Sequence, residues 1–230
     1  MNYCTINTRG RRPLENPLWS QPPVSIREFR LVDLFCGTGG FSIGAHSAGF
    51  KVAAAFDNDP ILTSSFSHNF PDTRLILRDV AELTGKEVAA AAGGRVDGIF
   101  GGPPCQGFSE IGRRQADDPR RRLLGHFFRI VAEVQPSFFI MENVKGLANA
   151  GARETLDEAT ALVSGDYSIL GPHILDAANF GAATKRPRLF VVGIHRALDS
   201  HLDLQDLLVF RRAPATVRAA ISDVADALPL

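Results

Sequence analysis

Cys105 lies in the run VDGIFGGPPCQGFS, just past an apolar stretch. Pro103 and Pro104 stiffen its approach, and Gly101, Gly102 and Gly107 leave the loop free to move. A loop of this kind presents a side chain, and a thiolate so presented is a nucleophile. A lone cysteine is more often inert core, a role that suits Cys36 and, in the amino-terminal arm, Cys4. Two further features set Cys105 apart. The apolar run SFFIM (137–141) leads directly into Glu142-Asn143-Val144, which would bring a carboxyl to the carboxyl edge of a sheet, where α/β proteins bind ligands. The run TKRPRLFVVG carries Arg186 and Arg188, whose alternation on an extended segment turns both guanidinium groups the same way. Taken singly, Glu142 also reads as a helix cap and the arginine pair as a solvated edge strand.

A second group of residues describes a nucleoside pocket. DLFCGTGGFSIGAHSAGF joins a strand to a helix through Gly37, Gly39 and Gly40, a turn where backbone can approach a ligand closely. The spacing is not GxGxxG and no GxxxxGK[ST] occurs, which weighs against nicotinamide dinucleotides and nucleoside triphosphates. The next strand ends in Asp57, about twenty residues past the glycines, where an acidic residue can accept from ribose hydroxyls. The strand after that leads to Asp79-Val80, a carboxylate for the exocyclic amine of adenine beside an apolar cover for its ring. Asp57, Asp59 and Asp79 are each equally readable as turn caps; as a set at successive strand ends they favour the pocket.

The elements that must position these groups alternate. From Leu31 onward, short apolar runs separated by longer helical stretches predict βα units and a mostly parallel sheet, an α/β fold. The expected strands are LVDLF (31–35), VAAAF (52–56), RLIL (74–77), VDGIF (96–100), SFFIM (137–141) and RLFVVGI (188–194). The clearest helix follows Pro119, with Leu123, Phe127, Ile130, Val131 and Val134 on one face and Arg129 and Glu133 as a surface pair on the other. EVAAAAGGR (87–95) reads as an Ala-rich helix ending at a glycine pair. Residues 1–29, with Pro13, Pro17, Pro22 and Pro23, read as an extended arm on which Trp19 and Phe29 could dock. A catalytic domain is expected over 30–195 and a helical tail over 196–230.

Composition narrows the classes. The 230 residues are 45% apolar, enough for one sizeable core. Their net charge of zero argues against holding nucleic acid by bulk charge, so any such affinity must come from a local cluster or a partner. Three cysteines without paired spacing suggest neither a disulfide framework nor zinc. The absence of an apolar leader or membrane-length run predicts a cytoplasmic or nucleoid-associated protein. Arg113, Arg114, Arg120, Arg121 and Arg122 form the densest basic cluster, assigned to backbone phosphates or, more plainly, to a solvated helix start.

The four runs DLFCGTGGFS, GGPPCQGFS, MENVKGL and RPRLFVVG, in this order and at these distances, resemble the motifs of the DNA (cytosine-5) methyltransferase family, over about Leu31 to Ile194. The resemblance implies a Rossmann-like, S-adenosylmethionine-dependent methyltransferase fold, with cofactor and target base meeting above the carboxyl edge of the sheet. Carried over, it places Phe35 near the adenine and Gly37, Gly39 and Gly40 on the methionine side of the cofactor. Asp57 would hold the ribose, and Asp79 with Val80 the adenine. Cys105 becomes the nucleophile, Glu142 the contact to N3 and the amino group of a flipped cytosine, and Arg186 and Arg188 the support of base and loop.

The chemistry explains the combination. Cytosine C5 is too weak a nucleophile to take a methyl from a sulfonium until a thiolate has added at C6. A Glu142 kept protonated by a dry site would stabilise that adduct. The implied partner is duplex DNA with its target base flipped out of the stack, and the implied setting includes DNA methylation in restriction-modification.

Two departures from the family pattern stand out. Thr184 occupies the place of a usual glutamine two residues before Arg186. The family's target-recognition region and its closing helix would follow the tail that ends in RRAPATVRAAISDVADALPL, and neither is seen, which leads to the expectation of a split enzyme with a second subunit, or of a truncated one. A transfer-RNA cytosine-5 methyltransferase and a non-catalytic regulatory subunit of the same fold are the alternatives.

Overall fold

The computed structural model describes residues 29–104 and 121–222. Cys105, Gly107, Arg113, Arg114 and Arg120 lie outside the described residues, as do Cys4 and Trp19. The apolar runs form one seven-stranded sheet: β1 (Arg30–Leu34), β2 (Lys51–Asp57), β3 (Arg74–Leu77), β4 (Gly98–Gly101), β5 (Phe138–Val144), β6 (Tyr167–Asp176) and β7 (Pro187–His195). Their order is β3-β2-β1-β4-β5-β7-β6. From β3 to β5 all neighbours are parallel, and β7 runs antiparallel to both β5 and β6. Strand order reverses at β1, which has β2 on one side and β4 on the other, so the crevice for a ligand lies at their carboxyl ends.

Two expectations about strands need correction. β5 does not stop at Met141 but continues through Val144, so Glu142 and Asn143 are strand residues rather than loop residues. β6 was not expected at all. Its sequence, YSILGPHILD, carries a Gly-Pro pair in its middle that reads as a turn, yet the chain absorbs the pair as a register shift between Leu170 and His173 and pairing resumes.

Helices cover the sheet: α1 (Gly40–Ser47), α2 (Phe66–Asn69), α3 (Gly85–Ala91), α4 (Arg121–Val134) and α5 (Ala150–Ala161), with the short α6 (Leu204–Leu208) and α7 (Val217–Ala220) in the tail. α3 begins two residues before the expected start at Glu87 because Thr84 and Glu87 close a reciprocal capping box, and it ends before Gly93, at φ 78°. On α4, Phe127, Ile130 and Val131 are fully buried, joined by Leu124 and Phe128. Edge-to-face contacts link Phe128 to Phe139 of β5 (centroids 5.5 Å apart) and Phe139 to Tyr167 of β6 (5.3 Å). Burying each such ring contributes about 1.5–3 kcal/mol, so this stack locks α4 and β6 to the centre of the sheet.

Arg129 and Glu133 are not the plain surface pair their spacing suggests. They do form an ion pair at 2.7 Å, but Arg129 also donates to the carbonyls of Val80 (3.2 Å) and Ala81 (3.4 Å). Glu133 accepts from Gly85 N–H at 2.6 Å. Together they brace α4 against the segment that follows β3. At the amino-terminal side, Phe29 docks edge-on against Phe50, with centroids 6.0 Å apart. In the tail, Arg212 is held by backbone and side-chain bonds to the carbonyls of Asn179 (2.9 Å) and Phe180 (2.8 Å). No helix among the described residues is long and apolar enough to cross a membrane.

Candidate active site

Three strand ends converge. After β1 the backbone turns through left-handed conformations at Phe35 (φ 60°), Gly37 (φ 50°) and Gly39 (φ 93°). Gly37 N–H donates to Asp57 Oδ2 at 2.9 Å, and Asp59 N–H donates to Asp57 Oδ1 at 2.9 Å. Asp57, at the end of β2, therefore ties the loop after β1 to its own. Each carboxylate oxygen keeps a free lone pair. Asp59 Oδ1 accepts from the N–H groups of Ile61 (2.8 Å) and Leu62 (3.0 Å). Asp79, after β3, accepts from Ala81 N–H at 2.9 Å and from Asn58 Nδ2 at 3.4 Å.

All three aspartates thus act as caps and also line one cavity of about 680 Å³. Phe35, Gly37, Asn58, Leu62, Val80 and Ala81 line it with them, together with Gly102 and Pro104 after β4 and Arg122, Leu123 and His126 of α4. The size falls within the ~300–1,000 Å³ of small-molecule sites. Its carboxylates sit among apolar side chains, an acceptor set suited to the hydroxyls of a ribose and the amine of an amino-bearing ring.

Gly39 and Gly40 are not among the residues lining this cavity. A Cβ at Gly39 would run into the ring of Phe70, so the absence of a side chain there serves packing of α1 on the Phe66–Phe70 cluster. Gly40 starts α1 with open space around it.

The second half of the site lies on β5 and β7. Glu142 Oε1 meets Arg188 Nε at 2.9 Å, both side chains 23% exposed. The register sets Arg188 opposite Val144 and Glu142 opposite Phe190, so Glu142 and Arg188 are diagonal neighbours on one face. Burial pushes the Glu142 carboxyl above its usual range, while the charges of Arg188 and then Arg186 pull it back only in part. Arg186 itself is exposed, just ahead of β7, its N–H held by Asp176 Oδ1 at 2.8 Å. Gly102 joins the two halves: it lines the cavity, and a Cβ built on it would stand 3.0 Å from Glu142 Oε2. Asn143, buried on the other face of β5, donates to the carbonyl of Pro103 at 3.0 Å and accepts from Val144 N–H at 2.9 Å. It therefore ties this strand to the segment that leads into Cys105.

Sequence reasoning named Gly102 only for the freedom of its loop and Asn143 only as part of the Glu142-Asn143-Val144 run, and it passed over His126 and Asp33. Asp33 is fully buried in β1; its Oδ2 accepts from Ser42 Oγ at 2.7 Å, and Oδ1 has no partner among the described residues. Burial pushes its carboxyl up to about 8. A lone acid inside an apolar strand was the signal that could have found it. Cys36, buried beside it, has its thiol pushed far up by burial and then by Asp33, which keeps it protonated and unreactive.

A family model described as C-5 cytosine-specific DNA methylase matches residues 29–227. The Type II methyltransferase M.XorII of Xanthomonas oryzae pv. oryzae is 41% identical over 172 residues, covering 73% of this chain and 41% of that protein. The Type II methyltransferase M.AquIA of a Picosynechococcus strain is 39% identical over 178 residues, covering 72% of each. The chain thus spans well under half of the first relative and about three quarters of the second. Among solved structures, a DNA modification methyltransferase encoded within an E. coli prophage superposes with a TM-score of 0.75 at 38% identity, over 84% of this chain and 54% of that one. A Spodoptera frugiperda DNMT2 mutant superposes with a TM-score of 0.60 at 26% identity, over 76% of this chain and 52% of that one. The sheet and its flanking helices are those of a Rossmann-like methyltransferase fold.

Proposed function

The chain belongs to the C-5 cytosine-specific DNA methylase family, and on that premise we propose that it transfers a methyl group from S-adenosylmethionine to C5 of cytosine in duplex DNA through a covalent Cys105–C6 adduct. The observation that carries this reading is the join at Gly102, where a nucleoside-sized cavity and the Glu142 carboxyl share one residue.

The residues present fit the cofactor. Asp57 and Asp79 offer free carboxylate lone pairs for ribose hydroxyls and an exocyclic amine, and Phe35, Leu62, Val80 and Leu123 offer apolar cover. When bound, S-adenosylmethionine supplies the electrophilic methyl that C5 takes up. Cys105 adds as a thiolate to C6 and moves electron density onto C5. Glu142, held above its usual range by burial, donates a hydrogen bond at N3 and takes up the charge that develops there. Arg188 fixes the position of that carboxyl, and Arg186 adds to the field around it. Loss of the C5 proton to a base or water then lets the thiolate leave, restoring the C5–C6 double bond. The target base must leave the stack first, at a cost of a few kcal/mol.

We propose a restriction-modification role by analogy with the Type II relatives, with target recognition supplied by a further segment or a second subunit.

The test is transfer of labelled methyl from S-adenosylmethionine to duplex DNA and, separately, to transfer RNA, by the purified chain alone and with lysate of its source added. Transfer to DNA that Cys105→Ser abolishes, while binding of S-adenosylhomocysteine survives, supports the reading. Transfer to RNA alone would overturn the substrate, and turnover by Cys105→Ser would overturn the nucleophile.

A further inference from the structure

His126 lines the nucleoside cavity from the middle of α4, and one side of its ring is already committed. Arg129 Nε donates to His126 Nδ1 at 3.2 Å. An arginine only donates, so Nδ1 must be the acceptor and the ring proton must sit on Nε2. Arg129 is itself clamped, through the carbonyls of Val80 and Ala81 and through Glu133, so the imidazole is oriented from behind by a braced group. Nε2 has no hydrogen-bond partner among the described residues.

We propose that His126 is a further cofactor-positioning residue: its Nε2–H is a fixed neutral donor to an acceptor nitrogen of the bound adenine, complementing Asp79 as acceptor for the amine. This rests on the S-adenosylmethionine reading given above and names one more contact of that site. The charges around the ring agree with a neutral donor. Burial, then Arg129, with Arg122 adding a little, hold its pKa below the ordinary histidine range against the opposing pull of Asp79. The geometry also makes the contact selective. Adenine presents both an amine donor and ring-nitrogen acceptors, and a wall that pairs a carboxylate with a fixed N–H addresses both kinds of group.

The test is binding of S-adenosylhomocysteine and its 1-deaza, 3-deaza and 7-deaza analogues to the full chain, measured by calorimetry for wild type, His126→Gln and His126→Phe. One deaza analogue is expected to lose about tenfold on wild type and nothing further on His126→Phe. His126→Gln, which keeps an N–H donor, is expected to recover most of the affinity. Equal binding of S-adenosylhomocysteine by wild type and His126→Phe would overturn the assignment while leaving the cofactor reading intact, as would equal losses on every analogue in both proteins. No binding of S-adenosylhomocysteine by wild type would overturn both. A merely structural role for the ring would lower affinity for all four ligands alike, which also counts against the proposal.

Discussion

Arg188 reaches across from β7 to set its Nε 2.9 Å from Oε1 of Glu142 on β5, placing a guanidinium charge against the proton on that carboxyl. Burial lifts the carboxyl above its ordinary range and the arginine resists. A carboxyl whose folded-state pKa is raised contributes stability that is present at low pH and lost as pH rises through the folded value. Glu142→Gln, which mimics the protonated acid, is therefore expected to unfold no more easily than wild type at pH 8. Methyl transfer should meanwhile fall by about 10²–10³-fold, the usual cost of removing a group that meets developing charge. Thermal melts and single-turnover rates check the two halves.

Removing the resisting charge should exaggerate the effect. In Arg188→Ala the Glu142 pKa is expected to rise further, so more stability is lost between pH 4 and pH 8 than in wild type. Denaturant titrations across that range would show a steeper decline for the variant; a flatter one would mean that loss of the guanidinium lets water reach Glu142, so that burial no longer raises its carboxyl.

Asn143→Ala leaves the Pro103 carbonyl and the Val144 N–H without their partner in a buried setting. The expected cost is about 1–3 kcal/mol in unfolding free energy. The same loss frees the segment that leads into Cys105, so alkylation of that thiol by iodoacetamide should change rate, with the melting temperature measured alongside.

Gly37 and Gly39 should separate by role. Both take a left-handed backbone, which costs any alanine about 1–2 kcal/mol. Gly39→Ala also drives a methyl into the Phe70 ring and should lose about 1–3 kcal/mol more. Gly37→Ala has open space but lines the cavity, so it should weaken S-adenosylhomocysteine binding with the smaller loss of stability. Calorimetric melts and titrations on both variants check the pair.

Asp33 gives the clearest pH signature. Its carboxyl is raised from 3.8 to about 8, so it favours folding while protonated and loses that contribution as pH climbs from about 4 through about 8. Asp33→Asn removes the titration. The variant is expected to gain on wild type steadily from pH 5 to pH 8.5 in chemical denaturation, and parallel curves would show that the buried acid does not titrate in this window.

The parallel half of the sheet and the aspartates at its strand ends were legible because each depends on local patterning. An apolar run of strand length followed by a turn residue needs no distant partner to be read, and the end of β2 at Asp57 and the placement of Asp79 after β3 follow from it. β6 was not legible, because its Gly-Pro pair carries a turn signal that only pairing with β7 overrides. Glycine roles also could not be divided from sequence: Gly37 and Gly39 look alike in a motif, and only the ring of Phe70 distinguishes them. The carboxyl of Glu142 and the guanidinium of Arg188 were legible as residue types suited to one reaction. Their contact was decided by the antiparallel register of two strands distant in sequence, since Val144 faces Arg188. The sequence by itself determined which chemical groups this protein carries and which strand ends present them. The tertiary structure decided which of them meet, how dry their meeting place is, and therefore which keep their protons, because desolvation and charge proximity are properties of packing and not of spacing along the chain.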